Sequence, residues 1–350
     1  MSSTRILVTA AGGALAPLNI RLMKESVRHS VWVMGVDTNP TAAGRYFADE
    51  FATVPAGDSS EYSHAIGKLV AEFDIDLVLP WSDEEALNLS ENRQIIEHAG
   101  AVLACTSHDT LVMMNDKAKS FEVLGAAGVS VPKWTLAKSK DELKEAIQAY
   151  RDDLTEFVVK PVVARGNRGT YVIREDVRGV SNFLGSRELH MDFNTFMAEH
   201  LQGTQSTLPV MVMERLLAPA YDIDVLARGG KLLRSMPRER LNPAGVPFTG
   251  GILRPTEELI SLATEVTAAL KLDWLYDYDL MTGRNGKPVV IEINPRPSGS
   301  IAAAILAGVP FYEDVISLLK GEELPEILSI PVTAVIPHLD CTIVPMEALP

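Results

Sequence analysis

Apolar runs alternate with helix-compatible stretches along the first 115 residues. The runs have the length of buried strands and lie at residues 6–9, 31–36, 51–54, 77–79 and 102–105, with helical patterns at 62–73 and 83–98. Strand–helix repeats of this kind are typical of a parallel sheet covered by helices. The pattern therefore predicts an α/β protein whose first domain is a doubly wound, Rossmann-like sheet ending near residue 115.

A helix and a strand with a terminal lysine come next. Asp116 is a favourable N-cap for a helix that starts at Lys117. After an amphipathic helix at 139–150, a strand at 157–159 runs directly into Lys160. A lysine at the end of a buried strand either extends to the surface or serves a buried site.

The residues after Lys160 predict a glycine-containing hairpin. Gly166 and Gly169 lie between two β-type runs in the sequence VVARGNRGTYVI. Backbone amides in such a loop can close over phosphates, and Arg165 or Arg168 would add positive charge. A flexible surface hairpin has the same pattern, so both interpretations stay open.

A second predicted hairpin ends in two arginines. A strand at 210–213 ends in Glu214, and strands at 222–227 and 231–236 then alternate around two glycines. Arg238 and Arg240 follow two residues apart and therefore share a face. They are either solvated charges or ligands for a substrate carboxylate.

The segment GKPVVIEINPRPSGS, residues 286–300, predicts a metal site. Alternation puts Glu292 and Asn294 on one face of an apolar strand, and a turn at 283–286 would bring Asp279 alongside. Three oxygen ligands of this kind suit a hard divalent cation. Arg296 follows, and its planar guanidinium suits a phosphoryl group. The alternative is a salt-bridged Glu292, with Asn294 capping the strand and Arg296 in solvent.

Composition limits the classes of function. The 350-residue chain has a formal net charge of -14 and a pI near 5.0, which argues against a nucleic-acid partner. Cys105 and Cys341 are too few for a disulfide framework and favour a reducing compartment. The chain start lacks the apolar run of a secretory signal, and no segment is long enough to cross a bilayer. A cytoplasmic protein without a membrane partner is expected.

The turn after the first strand admits a rival interpretation. Gly12 and Gly13 permit a tight strand-to-helix turn, and Asp37 lies where dinucleotide-binding folds place a ribose-binding acid. The full GxGxxG spacing is missing, which favours glycines that serve only the turn. A dinucleotide-binding module is kept as the rival interpretation of this domain.

The order of these motifs resembles the ATP-grasp superfamily, and most closely its branch similar to the large chain of carbamoyl-phosphate synthetase. The stretches that carry the resemblance are MNDKAKSFEVLGAAGVSVPKW, FVVKPVVARGNRGTYVI, VMERLLAPAYDIDVL and VVIEINPRPSGS. The resemblance implies a Rossmann-like pre-ATP-grasp domain at 1–115 and a two-subdomain ATP-grasp fold. Its lid subdomain with a linker helix would span 116–205, and its C-terminal subdomain with the metal site would span 206–350.

The resemblance also implies roles for individual residues. The implied sites are nucleotide binding by Lys117, Lys160, Gly166, Gly169, Glu214 and Leu216; metal binding by Asp279, Glu292 and Asn294; catalysis by Arg296 and Lys160; and acceptor binding by Arg238, Arg240, Ser298 and Ser300. Ala220 stands where many similar proteins have a second nucleotide-binding Glu, which puts the ribose contact in doubt.

The implied activity is that of an ATP-dependent carboxylate–amine ligase, which works through an acyl phosphate and releases ADP and phosphate. Its cofactors would be ATP and Mg²⁺, with Mn²⁺ as an alternative ion. Its partners would be a small-molecule carboxylate and an amine, and homodimers are common among similar proteins. The alternatives are a kinase or carboxylase that uses the same site, or the dinucleotide-binding module.

Overall fold

The first part of the chain forms a five-stranded parallel sheet. The computed structural model describes residues 3–163, 169–181, 188–241, 250–338, 341–343 and 346. The elements here are β1 (Thr4–Val8), α1 (Ala16–Lys24), β2 (Val31–Asp37), a 3₁₀ helix (Ala43–Tyr46), β3 (Glu50–Thr53), α2 (Tyr62–Glu72), β4 (Leu77–Leu79), α3 (Asp83–Glu91), α4 (Arg93–His98) and β5 (Val102–Leu103). The strand order is β3-β2-β1-β4-β5, and every pair is parallel.

This sheet confirms the predicted doubly wound domain. Leu7 and Val8 in β1 are fully buried, as is Val78 in β4, because the strands are covered on both faces. The order reverses direction between β1 and β4, so the residues after these two strands meet at one carboxyl edge of the sheet.

The second sheet follows two linking helices. The elements are α5 (His108–Asn115), α6 (Lys117–Ala126), β6 (Trp134–Ala137), α7 (Lys140–Asp153), β7 (Glu156–Pro161), β8 (Tyr171–Arg174), β9 (Val180–Ser181), β10 (Leu189–Met191), α8 (Phe193–Thr195), a π-helix (Phe196–His200), α9 (Leu201–Gln205) and β11 (Val210–Glu214). The strand order is β6-β11-β7-β8-β10-β9. The antiparallel pairing of β7 with β8 agrees with the predicted hairpin, whose residues 164–168, including Gly166, lie outside the described part of the chain.

The third sheet is antiparallel and carries most of the predicted site. The elements are β12 (Leu217–Arg228), β13 (Lys231–Arg240), β14 (Gly251–Leu253), α10 (Glu257–Leu270), β15 (Trp274–Thr282), β16 (Pro288–Asn294), α11 (Ile301–Leu306), α12 (Phe311–Lys320) and β17 (Thr333–Val335). The strand order is β16-β15-β12-β13-β14-β17.

The passage between the second and third sheets lies later than the expected boundary at residue 206. Strand β11 pairs with β6 and β7, so it belongs to the second sheet, and the third sheet begins only at Leu217. The difference arises because an isolated apolar run does not reveal which strands it pairs with. None of the helices in the described ranges has the length and apolarity that a membrane crossing requires.

Two apolar clusters join the sheets around the site. One lies between the second and third sheets and includes Met211, Leu216 and Val289, with Phe121 of α6. The other joins the first sheet to the third through α11 and α12, and it includes Val8, Leu275 and Ile301. The third sheet therefore packs against both of the other sheets.

Candidate active site

One face of the third sheet carries two rows of polar side chains. Directly opposite residues share a face, and Asp222 lies opposite Arg238 on one side and Asp279 on the other. Asp279 in turn lies opposite Glu292, which completes the outer row. The inner row lies two residues further along the strands, on the same face, and consists of Asp224, Asp277 and Asn294, with Met236 opposite Asp224.

The predicted metal ligands come together through the β15–β16 hairpin. Its turn is closed by hydrogen bonds from Gly283 N to Lys287 O (2.8 Å) and from Gly286 N to Gly283 O (2.9 Å), with Gly286 at a φ of 78°. This turn sets Asp279 opposite Glu292, as the spacing predicts.

A second aspartate orients the asparagine of this set. Asn294 donates from Nδ2 to Asp277 Oδ2 at 3.1 Å, which leaves the amide oxygen as the free acceptor. Carboxylate atoms of Asp222, Asp277 and Asp279 also lie within 4.8 Å of one another. These carboxylates and the Asn294 amide all offer oxygen atoms as metal ligands. The residues therefore fit a hard divalent cation such as Mg²⁺.

Crowding and burial perturb these carboxyl groups. Burial, followed by the negative charges of Asp222 and Glu292, raises the pKa of Asp279 to about 7. Burial and the neighbouring carboxylates also raise the pKa of Asp277 well above its usual value. A face that disfavours its own negative charges in this way is suited to binding cations.

The two predicted lysines adjoin the metal set from the second sheet and from α6. Asp116 caps α6 by accepting from Ala118 N (3.0 Å) and Lys119 N (3.2 Å), and Lys117 Nζ lies 2.9 Å from Glu292 Oε1. Burial, and then the like charge of Lys117, lowers the pKa of Lys160 to about 8. The salt bridge of Glu292 agrees with its alternative reading, but it also brings Lys117 to the metal set.

The other predicted nucleotide residues lie near the second sheet. Gly169 has a φ of 71°, and a Cβ there would lie 3.1 Å from Pro161 Cγ, so a side chain would be strained. Glu214 accepts a 2.7 Å hydrogen bond from Lys133 N, and Leu216 is buried in the apolar cluster between the two sheets. An apolar surface beside a strand-end carboxylate suits an adenosine.

The predicted acceptor residues also come together, but the two arginines are held by carboxylates. Arg238 is 4% exposed and forms an ion pair with Asp222 as well as a hydrogen bond to Ser300. Arg240 donates from Nε to Asp222 Oδ1 at 2.7 Å and lies 2.6 Å from Asp279. The hydroxyl oxygens of Ser298 and Ser300 are 3.2 Å apart. These arginines are therefore not solvated charges.

Arg296 connects the site to the first domain. Its Nε lies 3.1 Å from Asp83 Oδ1 at the start of α3, and its Nη1 lies 3.8 Å from Asp277 Oδ2. Asn19 of α1 donates to Gly299 O at 3.3 Å and so contacts the same segment. The alternative reading of Arg296 as a solvent residue is wrong.

Sequence reasoning missed four acidic residues of this site. Asp222, Asp224 and Asp277 carry a recognisable signal, because YDIDVL and YDYDL each put two carboxylates on one strand face. Asp83 has no comparable signal, since its partner is more than two hundred positions away in the chain.

The rival dinucleotide reading finds little support. Asp37 accepts hydrogen bonds from Gly12 N at 2.7 Å and from Asn39 N at 2.9 Å. A Cβ at position 12 would lie 2.8 Å from the same carboxylate. Asp37 therefore holds the backbone of the glycine turn, as expected where the glycines serve only the turn.

Comparison with known proteins finds two family models that match parts of this chain. Residues 206–337 match the family model "ATP-grasp in the biosynthetic pathway with Ter operon", and residues 6–104 match "PylC-like, N-terminal domain". The chain thus carries an ATP-grasp domain behind a PylC-like N-terminal domain, and the predicted resemblance is confirmed.

Curated relatives are ligases and a synthase. The chain is 23% identical to the D-alanine–D-alanine ligase of Pelotomaculum thermopropionicum over 59% of its length and 67% of the relative. It is 23% identical to the glutamate–LysW ligase ArgX of Sulfolobus acidocaldarius over 73% of its length and 85% of the relative. With the arginine-specific carbamoyl phosphate synthase large chain of Bacillus subtilis it shares 19% identity over 71% of this chain but only 23% of the relative.

Solved structures confirm the fold. The biotin carboxylase domain of the Hydrogenobacter thermophilus 2-oxoglutarate carboxylase, solved with MgADP and bicarbonate, superposes with a TM-score of 0.69 at 16% identity. The superposition covers 93% of this chain and 71% of that chain. The predicted Rossmann-like domain followed by an ATP-grasp fold is thereby confirmed.

Proposed function

We propose that this protein is an ATP-dependent ligase that joins a carboxylate to an amine through an acyl phosphate. The observation that carries the proposal is the convergence of Asp279, Glu292 and Asn294 with two cationic side chains, Lys117 and Arg296. Oxygen ligands beside fixed positive charges are what transfer of a phosphoryl group to an anion requires.

The nucleotide would lie between the second and third sheets. Asp279, Glu292 and Asn294 would bind Mg²⁺, or Mn²⁺ in its place, and Glu214, Gly169 and the backbone at Leu216 would contact the nucleotide. When bound, the ion neutralises triphosphate charge and aligns the terminal phosphoryl group. Lys117 and Lys160 would bind phosphate oxygens directly, and Gly166, which lies outside the described residues, is proposed for the same role as Gly169.

Arg296 has the central role in the transfer step. A carboxylate oxygen and a terminal phosphate repel each other, and Arg296 and Lys160 would offset that repulsion in the transition state. Ser298, Ser300 and the two arginines of β13 would orient the acceptor, so the chemistry is mostly positioning. Attack by the amine on the acyl phosphate would then form the C–N bond and release phosphate.

The second candidate function is that of an enzyme that phosphorylates or carboxylates an acceptor and forms no C–N bond with an amine. The carboxylase domain among the similar structures favours it, whereas the two ligases among the curated relatives favour C–N bond formation. That same carboxylase domain was solved as a dimer, which supports a homodimer here as a further proposal.

An ADP-release screen tests the ligase proposal. Purified protein with ATP and Mg²⁺ is given amino acids and small carboxylates in pairs, and hydroxylamine serves as a generic amine that traps an activated acyl group. A ligase releases ADP only when a carboxylate and an amine are both present, and it yields a hydroxamate. ADP release without any amine, together with a stable phosphorylated or carboxylated product, would contradict ligation.

Replacing one metal ligand isolates the contribution of the metal site. Glu292→Gln is expected to lower ADP release by about a hundredfold or more, the effect of removing one electrostatic contact from a transition state. Glu265→Gln, an exposed substitution on α10, is the matched control and should retain activity. Full turnover by a folded Glu292→Gln protein would discredit the metal assignment.

A further inference from the structure

Two carboxylates of the polar face have oxygen atoms without a partner. Asp224 is 2% exposed and Asp277 is 6% exposed, and within the described part of the chain Oδ1 of each accepts no hydrogen bond. A buried acceptor without a donor costs free energy, so such a pair indicates a missing ligand. The two residues lie directly opposite each other in the inner row.

The other carboxylates of this face already have close cationic partners. Asp222 is paired with both arginines of β13, Asp279 lies 2.6 Å from Arg240, and Glu292 lies 2.9 Å from Lys117. These carboxylates therefore have a positive charge beside them even before a metal binds.

The inner row has no comparable partner. The cation that forms an ion pair with Asp277 is Arg296 at 3.8 Å, which lies closer to Asp83, and the charge of Arg240 acts on Asp277 as well. Asp224 has no ion pair among the residues described, although the charge of Arg238 acts on it, and it accepts hydrogen bonds from Ser298. What the inner row lacks, among the residues described, is a hydrogen-bond donor to one oxygen of each carboxyl group.

We propose that Asp224 and Asp277 form a subsite for a substrate ammonium group, and that the activated acid is an α-amino acid. This inference rests on the proposed function, because it takes Arg296 to lie where the reacting carboxylate meets the terminal phosphate. Asp277 lies beside Arg296, so a cation subsite adjoins an anion subsite at close range. An α-amino acid presents its carboxylate and its ammonium on one carbon atom and matches that juxtaposition.

The geometry disfavours a small anion as the sole acceptor. Bicarbonate has no cationic group and only one O–H donor, so at least one of the two oxygens would stay unsatisfied and the carboxylates would repel the anion. An ammonium group donates three hydrogen bonds and carries the compensating charge. The inner row therefore distinguishes an amino-acid ligase from a bicarbonate-dependent enzyme of the same fold.

A binding experiment tests the subsite independently of turnover. The full chain, with Mg²⁺ and a non-hydrolysable ATP analogue, is titrated with α-amino acids of both configurations, with the same acids lacking the amino group, and with bicarbonate. Thermal unfolding identifies an amino acid that binds, and calorimetry measures its Kd. We expect amino acids, but neither des-amino acids nor bicarbonate, to stabilise the protein. Equal binding of a des-amino acid, or no binding of any amino acid, would overturn the proposal.

Two isosteric variants assign the effect to the inner row. Asp224→Asn and Asp277→Asn should each weaken amino-acid binding by about tenfold or more, the value of one charge-assisted hydrogen bond. Retained affinity for the ATP analogue shows that each variant is folded. Asp109→Asn, an exposed substitution on α5, is the control and should behave as wild type. Wild-type amino-acid affinity in both inner-row variants would overturn the proposal.

A metal titration separates this subsite from the metal site. Asp279→Asn should weaken Mn²⁺ binding, whereas Asp224→Asn should leave it unchanged. If Asp224→Asn weakens Mn²⁺ binding as much as Asp279→Asn does, the carboxylate belongs to the metal site and the ammonium proposal fails. If amino acids bind but no ADP is released, the ligase proposal is contradicted and the ammonium subsite is still supported.

Discussion

Among single residues, Lys160 has a pKa that makes phosphate binding depend on pH. It ends a buried strand, and burial together with the charge of Lys117 lowers its pKa to about 8. A lysine needs its proton to bind a phosphate oxygen, so its role depends on pH within an accessible range. Below about pH 8 the free protein has the charged form, and above it the neutral form dominates.

The pH dependence of nucleotide capture follows from this pKa. We expect kcat/KM for ATP to fall above about pH 8, by about tenfold per pH unit, because this ratio reports ionisation of the free enzyme. Lys160→Arg keeps its charge at all these pH values and should remove the alkaline decline. An unchanged alkaline limb in Lys160→Arg would contradict the role given to Lys160.

The sequence predicts which residues belong to the metal site only where those residues are close together in the chain. Asp279, Glu292 and Asn294 belong to one hairpin, so turn spacing and alternation bring them together. Asp222 and Asp224 enter through the pairing of β12 with β15, more than fifty residues apart. Strand order is a tertiary property, and the sequence pattern does not specify it.

At the scale of elements, α6 presents Lys117 to the site. The helix starts where Asp116 accepts two backbone hydrogen bonds, as the sequence predicts, and Lys117 N donates to Val162 O at 3.0 Å. The N-cap thus determines both where α6 begins and where its first lysine lies.

Removing this cap should destabilise the protein. Asp116→Ala is expected to lower the free energy of unfolding by about 1 kcal/mol, whereas Asp116→Asn retains an acceptor and should cost less. Urea unfolding measures both, with the exposed α6 variant Glu122→Ala as the control. Equal stability of the Ala variant and wild type would show that the cap is unimportant.

Elements with strong periodicity were predictable, and short strands of the second sheet were not. The pattern correctly predicts α7 and the β12–β13 hairpin. The stretch around 179–205 is mixed and polar, yet it includes β10, which pairs in parallel with β8, and a π-helix. Three-residue strands depend on their neighbours for stability, so their sequences carry little signal.

At the scale of the whole molecule, the first domain contributes charged contacts to the third sheet. Asp314 of α12 is fully buried between Arg28 of the first domain and Arg234 of β13. Arg28 also lies 2.8 Å from Glu313. Together with the Asp83–Arg296 pair, these contacts tie the first domain to the sheet that carries the site.

Breaking the buried triad should be costly. Asp314→Ala would leave two arginines without their shared carboxylate, and we expect a loss of roughly 3–5 kcal/mol in the free energy of unfolding. Glu25→Ala removes the exposed 3.9 Å pair with Arg21 and should have almost no effect. Similar urea midpoints for the two variants would contradict a structural role of the triad.

The central claim is that Lys160, Asp279, Glu292, Asn294 and Arg296 surround one metal-bound triphosphate. A crystal structure with Mn²⁺ and a non-hydrolysable ATP analogue tests it most directly, because anomalous scattering locates the ion. We expect Mn²⁺ to be bound by oxygens of Asp279, Glu292 and Asn294, with Lys160 and Arg296 at the terminal phosphates. An ion or a triphosphate bound elsewhere, with these side chains uninvolved, would contradict it.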